Sequence, residues 1–285
     1  MGIRREIEAI GVFPPLLLDR TVPPEAFPKR PAQPNHASFR ARDLEGEVRP
    51  PGHAVVQKHL DAGFAMLFES KASAERYLGS PIAAAPLGCV SKPREDGTMK
   101  HRVIQDLKAN GVNLASRTPE RQVLPTAFQH ARDLAILGNI EVEPASEVIT
   151  ETLVLDIQDA FMGIPLHVDE MAFNACSLDY ELSRGRPPLY DGEPQTGAFV
   201  IWNVLGFGSK PNPLVFARAA AFAARSGQAL FRPAAGAPGC EEAGVARLQM
   251  YVDDPIFSVR GGAAERSVAV DLLLLWWMTL GLPLA

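Results

Sequence analysis

An α+β fold with antiparallel pairing is what the order of elements in this sequence predicts. Two hairpin signatures carry that prediction. "PLGCVSKPREDGTMKHRVIQD" sets alternating apolar residues on either side of "REDG", and "RLQMYVDDPIFSV" reads as two strands around a tight turn at its Asp pair. Helical patterns lie between and after these strands without alternating with them one for one. A doubly wound parallel sheet is therefore not expected.

Taken in order, residues 1–52 form a Pro-rich stretch ("FPPLLLDRTVPPEAFPKRPAQPN") with no sustained period, which reads as a mostly irregular tail draped over the body. From His53 to Ser70 the pattern starts helical and then weakens, and "KASAERYLG" gives a short helix stopped by Gly79. The first hairpin follows, then a helical stretch near 124–138. "EVITETLVLDI" is a strand of β-branched and apolar residues, ended by "QDAFMGIPL", where Gly163 and Pro165 break regularity. Residues 183–197 read as a polar loop, "AFVIWNVLGFG" as a strand and "NPLVFARAAAFAARSGQALF" as an Ala-rich helix. "RPAAGAPGCEEAG" is a loop, and the second hairpin leads into a helix from about Ala263 to Leu280.

With 285 residues, the chain can build one large domain or two smaller ones with real cores. A hydrophobic share of 47% and a charged share of 21% are ordinary for a soluble globular protein. A net charge of −5 argues against indiscriminate nucleic-acid binding but leaves room for a local basic groove. Such a region exists: between Val90 and Asp133, eight Lys or Arg stand against five Asp or Glu. Cys89, Cys176 and Cys240 are widely spaced and form no CxxC, so neither a disulfide framework nor a zinc site is expected. A reducing compartment, cytoplasmic or nuclear, follows from that usage rather than secretion. Acids and prolines interrupt the N-terminal apolar patch, which makes a poor signal peptide. Glu6 stands where myristoylation after Gly2 would want Ser or Thr. The run "LLLLWWMTLGLPLA" is too short for a bilayer, so no membrane partner is expected.

The residues with chemistry to offer are carboxylates. Adjacent Asp253 and Asp254 repel each other, and a strand gains nothing by carrying them in its middle. Asp156 ends a second apolar strand, and Asp159 follows three residues later. Mg²⁺ binds hard oxygen ligands, one or two protein carboxylates together with substrate phosphates. Two such ions about 3.5–4 Å apart can stabilise both the attacking and the leaving oxygen of an in-line displacement. Adjacent aspartates also serve simply to cap turns or to face water. Spacing alone leaves both readings open.

"LDIQDAFMGIPL", "VLGFGSKPNPLVFAR" and "YVDD" resemble three consecutive motifs of retroviral and LTR-retrotransposon reverse transcriptases. Upstream, "PLGCVSKPREDGTMKHRVIQDLKANGVN" resembles the fingers hairpin of the same family. The four occur in the family's order and cover roughly residues 55–285. The resemblance implies a polymerase right-hand fold, with an antiparallel palm sheet backed by helices and a fingers subdomain. It divides the chain into the tail, 1–52, and a fingers-and-palm domain, 53–285. Fingers would span about 53–115 and 166–205, and palm about 116–165 and 206–285.

The resemblance also implies roles. Asp156, Asp253 and Asp254 would be the catalytic and metal-binding carboxylates, holding two Mg²⁺ ions for which Mn²⁺ could substitute. Asp159 and Ala160 fall where backbone amides meet the triphosphate. Phe161 matches the aromatic that excludes a ribose 2′-hydroxyl, which implies dNTP as substrate. Lys92 and Arg102 match the cations that clamp the triphosphate. Phe207 and Gly208 lie at the nascent base pair, with Pro213 and Phe216 starting and seating the next helix. Tyr251 would pack near the primer end. Asp106 matches a structural Asp that orders the fingers. The implied activity is RNA-directed DNA polymerase, with a primed RNA or DNA template and dNTP as partners.

The sequence departs from the family pattern in two places. Gly206 stands where Pro is usual, and "SRGRPPLYDGEPQT" reads as an extra loop. "LGLPLA" resembles the start of the family's next motif, and no thumb or ribonuclease H sequence follows within the 285 residues. Weak or absent activity of the chain alone is the resulting expectation. A non-catalytic, retroelement-derived relic that binds nucleic acid or protein is the alternative, and an RNA-dependent RNA polymerase is a third reading. The oligomeric state is left open.

Overall fold

The computed structural model of the chain describes residues 35–40, 51–116, 122–139, 148–178, 198–231, 245–282 and 284. The expected loops at 183–197 and 232–244 lie wholly outside these residues, as does most of the expected N-terminal tail. Every ladder between named strands is antiparallel and helices accompany the sheets, so the fold is α+β. The chain splits into two compact units. One is drawn from Met1–Pro119 and Phe161–Asn212, the other from Glu120–Ala160 and Pro213–Ala285.

The first unit contains a three-stranded sheet in the order β1 (Ala65–Phe68), β6 (Ala198–Trp202), β5 (Ala175–Leu178), and a ribbon of β2 (Leu87–Pro93) with β3 (Met99–Gln105). All five residues of β6 are buried, which is why "AFVIW" shows no alternation. Helix α1 is Ala37–Arg40, and α2 (Pro51–Asp61) opens on a proline. The helical reading from His53 fails beyond Asp61. Gly63 turns the chain at φ 74°, and "AMLF" becomes β1, pairing Ala65 with Trp202. That partner is distant in sequence, so nothing local announces the strand. Strand β5 was likewise not expected. Helix α3 (Lys71–Leu78) behaves as its sequence says: Ser70 and Ser73 form a reciprocal capping box, and Gly79 closes it in the left-handed region at φ 67°.

Part of the Pro-rich stretch folds onto this unit. The Leu87 amide donates to Asn35 Oδ1 at 2.7 Å, the His36 amide to the Leu87 carbonyl at 2.9 Å, and the Cys89 amide to Ser38 Oγ at 3.2 Å. Phe39 is fully buried and stacks on His53 with centroids 4.6 Å apart. The main core gathers Phe39, Leu87, Val103, Leu107, Val200 and Trp202.

The second unit is a sheet in the order β4 (Ile149–Val154), β8 (Asp254–Gly261), β7 (Ala246–Tyr251). The register pairs Leu153 with Phe257 and Phe257 with Leu248, so these three share a face. On that face lies a core of Phe257, Val259, Ala223, Leu273 and Trp277, contributed partly by α7 (Asn212–Ala229) and α8 (Ala263–Thr279). Helix α7 comes close at Gly227, where a Cβ would lie 2.9 Å from Leu273 and 3.0 Å from Leu248. Helix α5 (Ala127–Gly138), capped by Thr126, meets the opposite face, where Gln249 Nε2 donates to Asp133 at 2.6 Å. Among the described residues, no helix is long and apolar enough to cross a membrane.

Candidate functional site

The acidic residues gather at one end of the second unit's sheet. Beyond Val154 the β4–β8 ladder continues: the Leu155 amide donates to the Pro255 carbonyl at 2.9 Å, and the Ile157 amide to the Asp253 carbonyl at 3.3 Å. This register sets Asp156 opposite Asp254, and directly opposed residues share a face. Asp156 and Asp254 are exposed, and Asp253 is half-buried. Two motifs 97 positions apart in the sequence thus become neighbours through backbone pairing.

The turn differs by one residue from the sequence expectation. Its two central residues are Val252 and Asp253, flanked by the pair Tyr251 and Asp254, so Asp254 is the first residue of β8. Val252 has φ 58°, and Asp253 is not in the positive region. That is the pattern of a type II′ turn, whose first central position favours glycine. Asp159, in the turn after Asp156, has φ 48°. Among the described residues these are the two non-glycine positions with positive φ, one beside each acidic motif. Tyr251 lies at the end of β7 and is exposed.

As a donor set, two opposed carboxylates and a third in the adjoining turn suit a divalent cation with oxygen ligands. Among the described residues, no three His, Cys, Asp or Glu side chains are grouped so as to hold a metal ion. Backbone pairing brings Asp156, Asp253 and Asp254 to one end of the sheet.

Of the remaining candidate residues, Lys92, Arg102, Asp106, Phe161, Phe207 and Gly208 belong to the first unit, and Asp159, Ala160, Pro213 and Phe216 to the second. Arg102 of β3 sets its guanidinium carbon 5.7 Å from the centroid of the Phe207 ring. Phe207 in turn meets Phe161, centroids 5.4 Å apart and planes tilted by 58°. Three residues far apart in the chain form one contact series. Lys92 is exposed on β2, diagonal to Arg102 across the ribbon.

Backbone and side-chain bonds fix the loop carrying Phe207 and Gly208. The Gln105 amide donates to the Phe207 carbonyl at 2.8 Å, Asn113 Nδ2 to the Gly208 carbonyl at 2.8 Å, and Asn212 Nδ2 to the Gly206 carbonyl at 2.7 Å. Gly208, at φ 121°, passes so close to β3 that a Cβ would overlap the Gln105 carbonyl oxygen. Gly206 has a related reason. A Cβ there would lie 2.7 Å from Nε2 of Gln105, which is buried. A proline at 206 would intrude on the space Gln105 occupies. Asp106 bonds His36 Nε2 at 2.9 Å and accepts from the Ala109 amide at 3.0 Å, which orders the turn after β3.

Sequence reasoning missed Asn113 and His36, since an Asn in a loop and a His in a Pro-rich stretch carry no local signal of long-range bonds. No protein-family model and no curated protein matches the chain.

Proposed function

We propose that the chain is the fingers and palm region of a reverse transcriptase, making DNA from dNTPs on a primed RNA or DNA template. The observation that carries the reading is the strand pairing that sets Asp156 opposite Asp254, with Asp253 in the adjoining turn. Acids are costly to place side by side without a cation, and two separate motifs supply them at one sheet end.

In this reading the primer 3′-hydroxyl gives up its proton to solvent and its oxygen bonds to the α-phosphorus of a dNTP, as the bond to the bridging oxygen breaks and pyrophosphate leaves. Divalent cations held by Asp156, Asp253 and Asp254 would neutralise charge developing on the attacking and leaving oxygens. Lys92 and Arg102 take the triphosphate oxygens, and such cations act by stabilising charge as it develops. Phe161 stands against the sugar, and its contact with Phe207 limits the room it has to move aside.

The test is Mn²⁺ binding to the purified chain, followed by electron paramagnetic resonance, beside single-nucleotide incorporation on a primed template. Asp156→Asn and Asp253→Asn should each weaken Mn²⁺ binding at least tenfold and reduce any incorporation by about 10²-fold or more, the scale at which lost charge stabilisation acts. Circular dichroism should be unchanged. Equal Mn²⁺ binding by wild type and variants would sink the reading. Template binding without any Mn²⁺ binding would favour the non-catalytic relic.

A further inference from the structure

We infer that the outer edge of β4 binds β4 of a second copy of this chain, antiparallel about a two-fold axis, so that two three-stranded sheets become one. The two outer strands of the β4–β8–β7 sheet end it differently. On β7 the Leu248 amide donates to Gln228 Oε1 at 2.7 Å, and Gln228 Nε2 donates to the Ala246 carbonyl at 3.0 Å. One side chain of α7 thus stands in for a further strand. On β4 the bond from the Leu155 amide to the Pro255 carbonyl makes Leu155, Leu153 and Glu151 the residues whose backbone faces β8. The amides and carbonyls of Thr150, Thr152 and Val154 point the other way, and among the described residues they bond nothing.

An open edge is a template for another strand, and chains blunt such edges with lysine, proline or a bulge. Strand β4 carries none of these, and Thr152 and Val154 are exposed, the latter by 69%. Its one charge, Glu151, is held by Arg266 Nε of the same chain at 3.0 Å. Because Gln228 closes β7, pairing of β7 with β4 of the next copy, which would propagate as a filament, is blocked. Pairing of β4 with β4 closes on itself.

The neighbours of the edge select its register. Centring the pair on Glu151 would set that carboxylate directly opposite its counterpart, which is unfavourable. Centring it on Leu153 would carry the second copy's Thr150 opposite Asp156. There Leu284 already bridges Ile157 on the outer side, since the Ile157 amide is turned inward to the Asp253 carbonyl. Centring on Thr152 avoids both. It sets Thr152 against Thr152 and Thr150 against Val154, all β-branched, and pairs every outward amide and carbonyl. Strand pairing alone engages far fewer than the roughly 20–30 residues a side of a standard interface, so the dimer is weak and concentration-dependent.

Sedimentation velocity of the full chain over a concentration series should show a monomer–dimer equilibrium. Thr152→Lys and Thr152→Glu each place like charges together at the axis and should raise the dissociation constant at least about tenfold. An equal mixture of the two should restore dimerisation, which a merely misfolded variant would not. In the wild type, the amides of Thr150, Thr152 and Val154 should exchange hydrogen about tenfold more slowly in the dimer than in the monomer. A wild type that stays monomeric to about 1 mM overturns the inference. So does a dimer that both Thr152 variants keep, or one in which those three amides gain no protection. Dispersal by Leu272→Glu but not by the Thr152 variants would place the interface on the exposed Val268, Leu272 and Leu275 of α8 instead, and overturns it too.

Discussion

Val252 is a β-branched residue in a conformation that suits glycine. At φ 58° it sits in the first central position of the β7–β8 turn, next to the carboxylates it helps to present. Backbone in such a region costs on the order of 1–3 kcal/mol and persists where surrounding structure imposes it. Here the ladder on both sides imposes it, since Tyr251 and Asp254 are already paired. Val252→Gly should therefore raise stability by about 1 kcal/mol, after allowing for the extra freedom glycine gives the unfolded chain. Urea unfolding would show it as a higher midpoint at unchanged slope. A lower midpoint would mean that the Val252 side chain contributes more by packing than the turn loses by strain. Cys176 illustrates a different residue-scale effect. Full burial pushes its thiol pKa well up, so it remains a neutral, core thiol rather than a reactive one.

At the scale of elements, local signals succeed where the element is closed by its own neighbours. Helix α3 is announced by Ser70 and stopped by Gly79, and the β2–β3 hairpin turns at Gly97 with φ 81°. The second hairpin and the helices near 127 and 263 also follow from pattern and caps. Helix α8 takes its place from packing. Ala269, Leu273 and Trp277, four residues apart in turn, form its buried line, and Trp277 Nε1 donates to the Ala223 carbonyl at 3.3 Å. Trp277→Ala removes the largest side chain from this core together with its hydrogen bond to that carbonyl, which keeps the Ser226 hydroxyl as a donor at 3.3 Å. A loss of about 3–5 kcal/mol is expected in denaturant melts. A loss below about 1 kcal/mol would show that the second unit does not depend on this helix for its core.

For the whole molecule, contacts between distant residues decide whether a site exists. Gly208 and Gln105 are 103 positions apart, yet the backbones pass within van der Waals range. Gly208→Ala adds a Cβ against the Gln105 carbonyl and forces a side chain into φ 121°, so a loss above about 3 kcal/mol is expected. Proteolytic susceptibility of the β2–β3 ribbon should rise with it. An alanine variant as stable as the wild type would show that the loop can shift away from β3, and that the Arg102–Phe207 contact does not depend on this approach.

The sequence by itself determined the α+β class, the two hairpins, the capped helices and the identity of the acidic motifs. These rest on period, turn residues and composition, which act over a few residues. Only the tertiary structure decided that "AMLF" after Gly63 is a strand, because its partner at Phe199–Trp202 lies far away in the chain. It also decided that the turn centres on Val252 and Asp253, since register fixes which residue pairs first. The same pairing put Asp156 opposite Asp254, Lys92 opposite Lys100, and Gly206 against the buried Gln105. A strand's local pattern says which side chains share a face. Hydrogen bonding to a distant strand decides which residue each of them meets.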